Sequence, residues 1–412
     1  MKIINSLLFG ILCLATALPG TAQTQEKQKD IDKYIESDVI SLVDRAGFSW
    51  QTSKGDFKLK PYMLLFTRGE FNYVDDEGLN IAEVDNVVNT GFGIPKAILG
   101  FAGTAFGKIT YNFALDAAAS GGSLLNQAWF DINMKDEFRL RVGKFKTPMN
   151  RAYQVRLGQS LLPVLPVSLT TAVNLPYSLN SVNPVMSTGF DIGVMAHGLI
   201  NNKWQYQAGI FNGTGITINK PTNTVSDDLS IPSFLYSGRV AYMPYGPMPL
   251  CEGDPTDVNN FKMSFAASAS YNVEANYESS NDLRLGAEFS ILSNRFYFSS
   301  EAYTLNMDFV ERQRTSPALS YWGGYAQAGY MLKSNIQPVA RFEVMDRNST
   351  DEDGLLIMPA VGFNYYLLGQ NLKLQAMYQG LIKSGHISDY EANDDDNGLS
   401  EHRLIVQLQF SF

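Results

Sequence analysis

The sequence carries little charge and contains no long apolar run. Only 18% of its 412 residues are Asp, Glu, Lys or Arg, whereas soluble domains average about 25%. A membrane-spanning helix needs about 18 consecutive apolar residues, and the nearest candidate, Leu161–Leu169, is interrupted by Pro163 and Pro166. These shortages argue against an ordinary soluble enzyme and against a helical membrane protein.

Cysteine is also scarce, and one of the two cysteines lies in a segment that we expect to be removed. The first residues combine a positive charge, an apolar stretch at Leu7–Leu18 and small residues at Gly20–Ala22. This order is typical of a secretory signal peptide, here predicted over residues 1–22. Its removal would take Cys13 and leave Cys251 alone, so no internal disulfide can form.

Motifs for catalysis and for metal binding are missing. The sequence has three histidines and contains no Gly-x-Ser-x-Gly elbow, His-Glu-x-x-His helix or phosphate-binding glycine loop. His386 and Ser388 could place a base and a nucleophile on one strand face, but nothing else in the sequence supports hydrolysis. Residues 393–398 resemble part of a calcium-binding loop, whose twelfth position is Leu404 instead of Glu. We expect no enzyme activity, no metal, no cofactor and no nucleic-acid partner.

What the sequence has instead is an alternation of apolar and polar residues from residue 56 onward. One segment places apolar side chains at every second position: Ile109, Tyr111, Phe113 and Leu115. Successive side chains on a strand point to opposite faces, so each such segment has an apolar face and a polar one. Their length, about 9–11 residues, is that of a tilted membrane strand. Sixteen segments start near residues 57, 94, 108, 125, 137, 190, 203, 234, 260, 282, 294, 320, 336, 355, 371 and 402.

The connections between these segments alternate in length, as in bacterial outer-membrane barrels, which have short periplasmic turns and long outer loops. The short ones are Thr104–Gly107, Lys135-Asp136, Gly198–Asn202, Leu292-Ser293, Lys333–Asn335 and Leu368–Gln370. The long ones are Asn72–Gly93, Lys146–Gly189, Gly213–Ser233, Phe309–Leu319 and Ser384–Ser400. One connection, Pro244–Asn259, is long where a short turn is due. The pattern predicts an all-β, sixteen-stranded antiparallel outer-membrane β-barrel over residues 56–412, wide enough to hold water.

The last segment, His402–Phe412, shows the alternation most clearly. Its lipid-facing residues are predicted to be Leu404, Val406, Leu408, Phe410 and Phe412, and its inward residues Arg403, Gln407, Gln409 and Ser411. As the sixteenth strand it must pair with the strand near Phe57 to close the wall. Its aromatic end resembles the insertion signal of outer-membrane proteins, which predicts the outer-membrane insertion machinery as a partner.

The segment Gln23–Gly55 has a different pattern, because its apolar residues recur at steps of four and three. They are Ile31, Ile35, Val39, Leu42 and Ala46. This spacing predicts one helical stripe, with Gly47 as its stop. The segment is expected to be either a periplasmic helix that packs on a partner or plugs the pore, or a mobile periplasmic arm.

The distribution of charge gives the functional hypothesis. Residues 138–190 contain no Asp or Glu but six basic residues: Arg139, Arg141, Lys144, Lys146, Arg151 and Arg156. The long connection 146–189 within this stretch can fold inward and narrow the pore. A basic constriction in a wall of low dielectric constant concentrates anions and repels cations.

Further inward-facing cations are expected on other strands: Lys96, Lys108, Arg239 and Arg341. Inward acids can neutralise some of them across the lumen, namely Asp131, Glu288, Glu301 and Glu343. Inward aromatic residues allow a second interpretation, since they can either stack sugars or pack against the constriction loop: Trp129, Phe211, Tyr297, Tyr303, Tyr321 and Tyr325.

Several motifs resemble those of the phosphate-selective porin O and P family. Arg141–Pro148 is similar to its V-G-x-F-K-x-P motif, with Lys146 on the family lysine, and Leu99–Thr104 is similar to its L-G-F-x-G-T motif. Further similar stretches are Ala208–Gly213, Tyr325–Leu332 and Pro338–Glu343. The resemblance implies a sixteen-stranded barrel, commonly trimeric, with basic residues lining an inward-folded loop. Where the family's second strand often carries several arginines, this chain has one lysine, Lys96, so no phosphate-coordinating residues are assigned.

These observations lead to one leading hypothesis and two alternatives. We expect an outer-membrane porin for passive diffusion of small hydrophilic solutes, with a preference for anions such as phosphate. A general or oligosaccharide porin would have little ion selectivity. A structural or adhesion barrel would have its pore closed by the N-terminal segment.

Overall fold

Most of the described chain lies in one antiparallel sheet. The computed structural model describes residues 39–44, 47–74, 87–119, 124–170, 189–213, 234–252, 261–272, 282–308, 318–346, 355–384 and 399–412. Within these residues the strands are β1 (Val39–Asp44), β2 (Gly47–Thr52), β3 (Lys58–Val74), β4 (Val87–Ala105), β5 (Ile109–Asp116), β6 (Leu125–Lys135), β7 (Phe138–Lys146), β8 (Phe190–Ile200), β9 (Trp204–Phe211), β10 (Leu235–Tyr242), β11 (Lys262–Asn272), β12 (Asp282–Ser293), β13 (Phe296–Asp308), β14 (Ala318–Tyr330), β15 (Ile336–Asp346), β16 (Leu355–Tyr366), β17 (Leu372–Ser384) and β18 (Leu399–Ser411). The helices are α1 (Arg151–Gln154), a 3-10 helix (Leu157–Gln159) and α2 (Val167–Thr170).

Strands β3 to β18 form a closed barrel of sixteen strands. Each strand pairs antiparallel with the next, and β18 returns to pair with β3 from Glu401↔Val74 to Ser411↔Leu64. In a closed wall neighbouring strands satisfy each other's backbone groups, as a bilayer requires. The predicted antiparallel sixteen-stranded barrel is confirmed, together with the pairing of its first and last strands.

The two faces of the wall differ as the alternation predicts. On β18, Leu404 and Val406 are exposed on the outer face, while Gln407 and Gln409 are fully buried on the inner face. Cross-strand partners share a face, so Gln407 lies opposite Gln375 of β17. The outer face is therefore apolar and the inner face polar. Among the described residues, no helix has the length and apolar character needed to cross a membrane.

The predicted N-terminal helix is wrong in the part that the structure describes. Val39–Asp44 is a strand that pairs with Gly47–Thr52 in a hairpin, and β2 pairs with the start of β3 through Trp50↔Leu59. Residues 39–43 are rich in β-branched side chains, which favour strands. The start of β3 extends beyond the end of β18 and offers the hairpin a free edge. The rest of the predicted helix and the predicted signal peptide lie outside the described residues.

Two segments leave the wall and enter the lumen. The first follows β7 and contains both α-helices; we call residues 147–170 the inner loop. The second follows β10 at the end of the barrel with short turns, which in bacterial outer-membrane barrels faces the periplasm; we call residues 243–252 the turn-end insert. It is the described part of the long connection that breaks the predicted alternation of turns and loops.

The buried apolar core lies between the inner loop and the barrel wall. One cluster joins Met149, Ala152, Val167 and Leu169 of the loop to apolar side chains on β13–β17. A second joins Leu161 and Leu162 to Met243 and Met248 of the turn-end insert and to side chains on β12, β13 and β15–β18. Each fully buried side chain of this size stabilises by about 1.5–3 kcal/mol. The inner loop is therefore a packed part of the fold.

Candidate functional site

The inner loop divides the lumen surface into two parts. It packs against the inner faces of β10–β18, which we call the docking wall. The inner faces of β4–β9 and of the first half of β3 keep side chains such as Tyr62, Asn112 and Gln127 partly exposed, and we call this surface the open wall. The space left for a solute lies between the inner loop and the open wall.

Buried carboxylates of the docking wall hold backbone N–H groups of the inner loop. Glu301 accepts hydrogen bonds from the N–H groups of Arg151 and Ala152 at 3.1 and 2.6 Å. Glu343 accepts the N–H of Ser168 at 3.1 Å and its hydroxyl at 3.2 Å. The first turn of a helix has N–H groups without partners in the helix, so these carboxylates fix α1 and α2 against the wall.

Cations of the barrel hold carbonyl oxygens of the same loop. Arg341 donates to the carbonyl of Val164 at 2.9 Å, and Arg68 donates to that of Pro163 at 2.8 Å. Lys373 donates to the carbonyl oxygen of Gly158 in the 3-10 helix at 3.4 Å and to that of Ser160 just after it at 3.2 Å. Buried backbone groups need partners, and the short helices leave many of theirs unpaired. These three cations therefore support the loop and do not face the open wall.

The motif around Gly143 forms the root of the inner loop. Gly143 has φ +126°, and a Cβ at this position would collide with the carbonyl oxygen of Ala128, so a side chain cannot be accommodated there. Two residues later Phe145 is buried against Phe211. Lys146 then donates to backbone carbonyl oxygens of the loop at 2.6 and 2.8 Å. The motif thus turns the chain from the wall into the lumen.

Most of the inward aromatic residues pack beneath the inner loop. Tyr303, Tyr321 and Tyr325 are buried in the loop cluster, and Tyr297 is fully buried in the second cluster. Phe211 is buried behind the loop root. Of the six predicted aromatic residues only Trp129 keeps part of its surface exposed, so the structure brings together no continuous aromatic track for sugars among them.

Trp129 carries the most distinctive arrangement on the open wall. The guanidinium of Arg141 lies over its ring, 4.2 Å from the centroid, and donates to Asp131 at 2.8 Å. His197 contacts both oxygens of the same carboxylate at 2.9 and 3.0 Å. Stacking on an aromatic face and pairing with a carboxylate both restrict the guanidinium. Arg141 is therefore a fixed charge on the surface that a solute passes.

Five of the ten predicted site residues form ion pairs. These pairs are Lys96–Asp116, Arg139–Asp136 and Arg141–Asp131, each at 2.8 Å, Arg239–Glu288 at 2.6 Å and Arg341–Glu343 at 2.7 Å. Arg239 and Arg341 are buried on the docking wall. Lys96, Arg139 and Arg141 keep 37%, 37% and 23% of their side chains exposed. Nearby acids thus compensate part of the predicted positive charge, and only three of these cations remain accessible.

The other five predicted residues have different surroundings. Lys144 is buried and donates to a backbone carbonyl of β6 at 3.0 Å, and Lys146 belongs to the loop root. Arg151 is buried and donates to the carbonyl of Pro249 at 2.7 Å. The structure therefore separates the six cations of the acid-free stretch, because half of them satisfy buried carbonyl groups.

Arg156 and Lys108 are the two remaining predictions, and both are exposed. Arg156 lies between α1 and the 3-10 helix and forms no ion pair within the described part of the chain. Lys108 lies in the turn between β4 and β5, and its predicted position on a strand face is wrong. Phe106 and Gly107 take φ angles of 56° and 65°, which complete a tight turn there, so β5 begins one residue later.

Sequence reasoning missed several charged residues near the loop. Arg68 and Lys373 anchor its carbonyl groups, as described above. Arg403 donates to Glu70 at 2.6 Å, and these two residues line a cleft of about 570 Å³ together with Asn72 and the start of β4. Their positions on the inward parity of β3, β17 and β18 are visible in the sequence. Their partners are not, because they lie up to 339 residues away.

The turn-end insert contacts the inner loop from the opposite end of the barrel. Glu252 accepts the N–H of Leu161 at 2.8 Å and the side-chain amide of Gln327 at 2.7 Å. Its own N–H donates to the carbonyl of Gln159 at 3.0 Å. Burial raises the pKa of the Glu252 carboxyl, and the N–H of Leu161 and the charge of Arg151 partly oppose this shift.

The described geometry is that of a porin, a diffusion channel of the outer membrane, with a closed sixteen-stranded wall and a loop packed inside it. A sequence profile of the family described as phosphate-selective porin O and P matches residues 67–412. The chain belongs to this family, whose fold is that of a channel. The family named from its motifs is thus confirmed, and so is the outer-membrane location.

Solved structures with the same fold share only 10–12% sequence identity with this chain. The anion-selective porin from Comamonas acidovorans has a TM-score of 0.56 at 12% identity, with 86% of this chain and all of that one covered. The channel DcaP of Acinetobacter baumannii has 0.52 at 10%, covering 87% and 99%. The trimer form of OmpT of Vibrio cholerae has 0.51 at 10%, covering 86% and 99%. An uncharacterized protein of Aquifex aeolicus (strain VF5) is 23% identical over 69% of this chain and 67% of its own.

Proposed function

We propose that this porin lets small hydrophilic solutes diffuse across the outer membrane with a preference for anions, phosphate among them. The observation that carries the proposal is the charge of the open wall and of the loop residue that faces it. The cations there are Lys58, Lys60, Lys96, Arg139, Arg141 and Arg156, and the carboxylates are Asp116, Asp131, the buried Asp191 and Asp136, which pairs with Arg139. Six positive charges against four negative ones leave an excess that attracts anions into the lumen.

The docking wall strengthens this imbalance by removing other charges from the solute's path. Glu301 and Glu343 are 3% and 0% exposed beneath the inner loop, and Glu288 is paired with Arg239. Most of the acidic side chains on that wall therefore lie under protein. A fixed charge on a surface of low dielectric constant acts more strongly than one in bulk water, so the excess on the open wall sets the preference.

The proposal is tested by reconstituting the protein in a planar bilayer under a KCl gradient and reading the reversal potential. An anion-selective value is expected, and Arg139→Ala combined with Arg141→Ala should reduce it, because Asp131 is then left without its arginine. Phosphate added to a chloride current at low concentration should block it if phosphate is a preferred solute. A cation-selective wild-type channel would refute the proposal.

The same measurement separates the alternative functions. A general or oligosaccharide porin would give a reversal potential near zero, and sugars in place of phosphate would block its current. A structural barrel would give no conductance until the N-terminal segment is removed. The burial of Tyr297, Tyr303, Tyr321 and Tyr325 favours the ion channel over the sugar channel.

We propose two partners beyond the bilayer and the solute. One is a second and third copy of the chain, because a solved structure of the same fold is described as a trimer form. Light scattering of the detergent-solubilised protein should give three times the mass of one chain. The other is the insertion machinery, for which the aromatic end of β18 is the recognition feature. Removal of Phe412 should lower the amount of protein in the outer membrane.

A further inference from the structure

The turn-end insert and the inner loop meet inside the barrel although they enter it from opposite ends. The loop follows β7 and the insert follows β10, and 72 residues (171–242) separate them in sequence. Short turns suffice for strand pairing, so a long insert at this end needs another reason. Its described residues extend from the periplasmic end into the lumen and contact the inner loop.

Hydrogen bonds join the two segments in both directions. The loop residue Arg151 donates to the carbonyl oxygens of Pro249 and Cys251 at 2.7 and 3.3 Å. The insert residue Glu252 accepts the N–H of Leu161 at 2.8 Å, and its own N–H donates to the carbonyl of Gln159 at 3.0 Å. The loop is thus held at its first helix and again beside the 3-10 helix.

The contact is also buried and apolar around these bonds. Met243 and Met248 pack with Leu161 and Leu162 in one cluster and are 4% and 7% exposed. Glu252 is 5% exposed, and Gln327 of the docking wall donates to it at 2.7 Å. A buried carboxylate is retained only where donors compensate for its lost hydration. These donors come from the loop and from the wall together, so Glu252 ties both to the insert.

We infer that the turn-end insert positions the inner loop, with Glu252 as the positioning residue, so that the width of the pore is set from the periplasmic end of the barrel. This goes beyond the proposed selectivity and rests on the proposed function only in that the barrel conducts. Without Glu252 the N–H of Leu161 loses its acceptor, while the wall carboxylates still hold α1 and α2 and Lys373 still holds the carbonyl oxygens of Gly158 and Ser160. The middle of the loop should then become more mobile while the loop stays in the lumen.

Single-channel recording of Glu252→Ala, Glu252→Gln and the wild type tests the inference. The alanine variant should close and reopen at least about fivefold more often, because an unsatisfied buried N–H shifts the equilibrium between the docked and undocked loop by about that factor or more. The glutamine variant keeps one carbonyl acceptor and should lie between the other two. Glu137→Ala is the matched control, since Glu137 is an exposed acid in a short turn at the same end.

A second readout uses the native cysteine next to the positioning residue. Cys251 is the only cysteine after Cys13, and it is partly buried in the contact. Labelling with a maleimide in detergent should be several-fold faster in Glu252→Ala than in the wild type or in Glu137→Ala. The wall pairings are untouched, so heat-dependent migration of the folded barrel on a gel should stay the same.

The outcomes separate this inference from the selectivity proposal. If Glu252→Ala shows wild-type closing and wild-type labelling of Cys251, the insert does not position the loop. If the variant closes often while the wild-type reversal potential is near zero, positioning stands and anion preference fails. A variant that loses its folded migration on the gel is replaced by Glu252→Gln, whose intermediate closing rate then decides.

Discussion

Arg156 offers the sharpest test of where selectivity resides. Its side chain is exposed, it lies on the inner loop, and it forms no ion pair within the described part of the chain. A monovalent ion passing within about 6 Å of this charge gains or loses about 0.7 kcal/mol at the dielectric constant of water, and about 2.8 kcal/mol at an effective value of about 20. The lower figure is the conservative one for a water-filled pore.

That energy converts into a measurable change of permeability. An interaction of about 0.7 kcal/mol favours an anion about threefold and disfavours a cation by the same factor, so the anion-to-cation ratio changes about tenfold. At 0.1 M salt the Debye length is about 10 Å, and screening lowers the expected change to about three- to fourfold. Arg156→Ala should therefore shift the reversal potential toward zero, and more strongly in dilute salt.

Three substitutions at this position and one control complete the experiment. Arg156→Lys keeps the charge and should keep the ratio, whereas Arg156→Glu should lower it by about the square of the alanine effect, since two charge units change. Lys203→Ala is the control, because Lys203 is exposed in the turn between β8 and β9. An unchanged reversal potential in Arg156→Glu, or an equal shift in Lys203→Ala, would refute this role of Arg156.

Two further predictions concern an anchor of the inner loop and the fixed arginine of the open wall. Glu301→Ala leaves two buried N–H groups of α1 without an acceptor, which costs about 1–3 kcal/mol each, so proteolysis within the loop should become faster while the barrel stays folded. Arg141→Ala should lower the anion-to-cation permeability ratio more than Lys108→Ala, as measured by the reversal potentials of the two variants. A larger effect of Lys108→Ala would contradict the role of Arg141 as a fixed charge on the solute's path.

The sequence was sufficient for the barrel because its wall obeys a local rule. Alternation within a strand is set by the pleat, so the buried Gln407 and the exposed Leu404 could be assigned to their faces without knowing any partner. The strand starts fell within a few residues except at β4, which begins at Val87 instead of near Ile94. The spacing of Val39 and Leu42 suggested a helix, but these residues form a strand that pairs with β2. The hairpin is held by the start of β3, and no local pattern in the sequence indicates that this edge is available.

The site was harder to predict because its charges are assigned by distant contacts. The acid-free stretch reads as one basic surface, yet Arg151 is buried against the turn-end insert and Arg156 is exposed. Nothing in the spacing of these two residues distinguishes them. The groups that hold Arg151 are the carbonyl oxygen of Cys251 and the carboxylate of Glu301, which come 100 and 150 residues later, on segments whose packing only the closed barrel determines.

The lack of acids in the inner loop has a physical explanation that joins anchoring to selectivity. A loop that contains only short helices must find partners for its other buried N–H groups, and here carboxylates of the docking wall and of Glu252 supply them. An acidic side chain in the loop would lie close to those carboxylates and repel them at short range. The same absence leaves Arg156 without a compensating acid in the loop. A composition required for docking therefore also leaves the lumen side of the loop positive, which is the charge that the proposed anion preference requires.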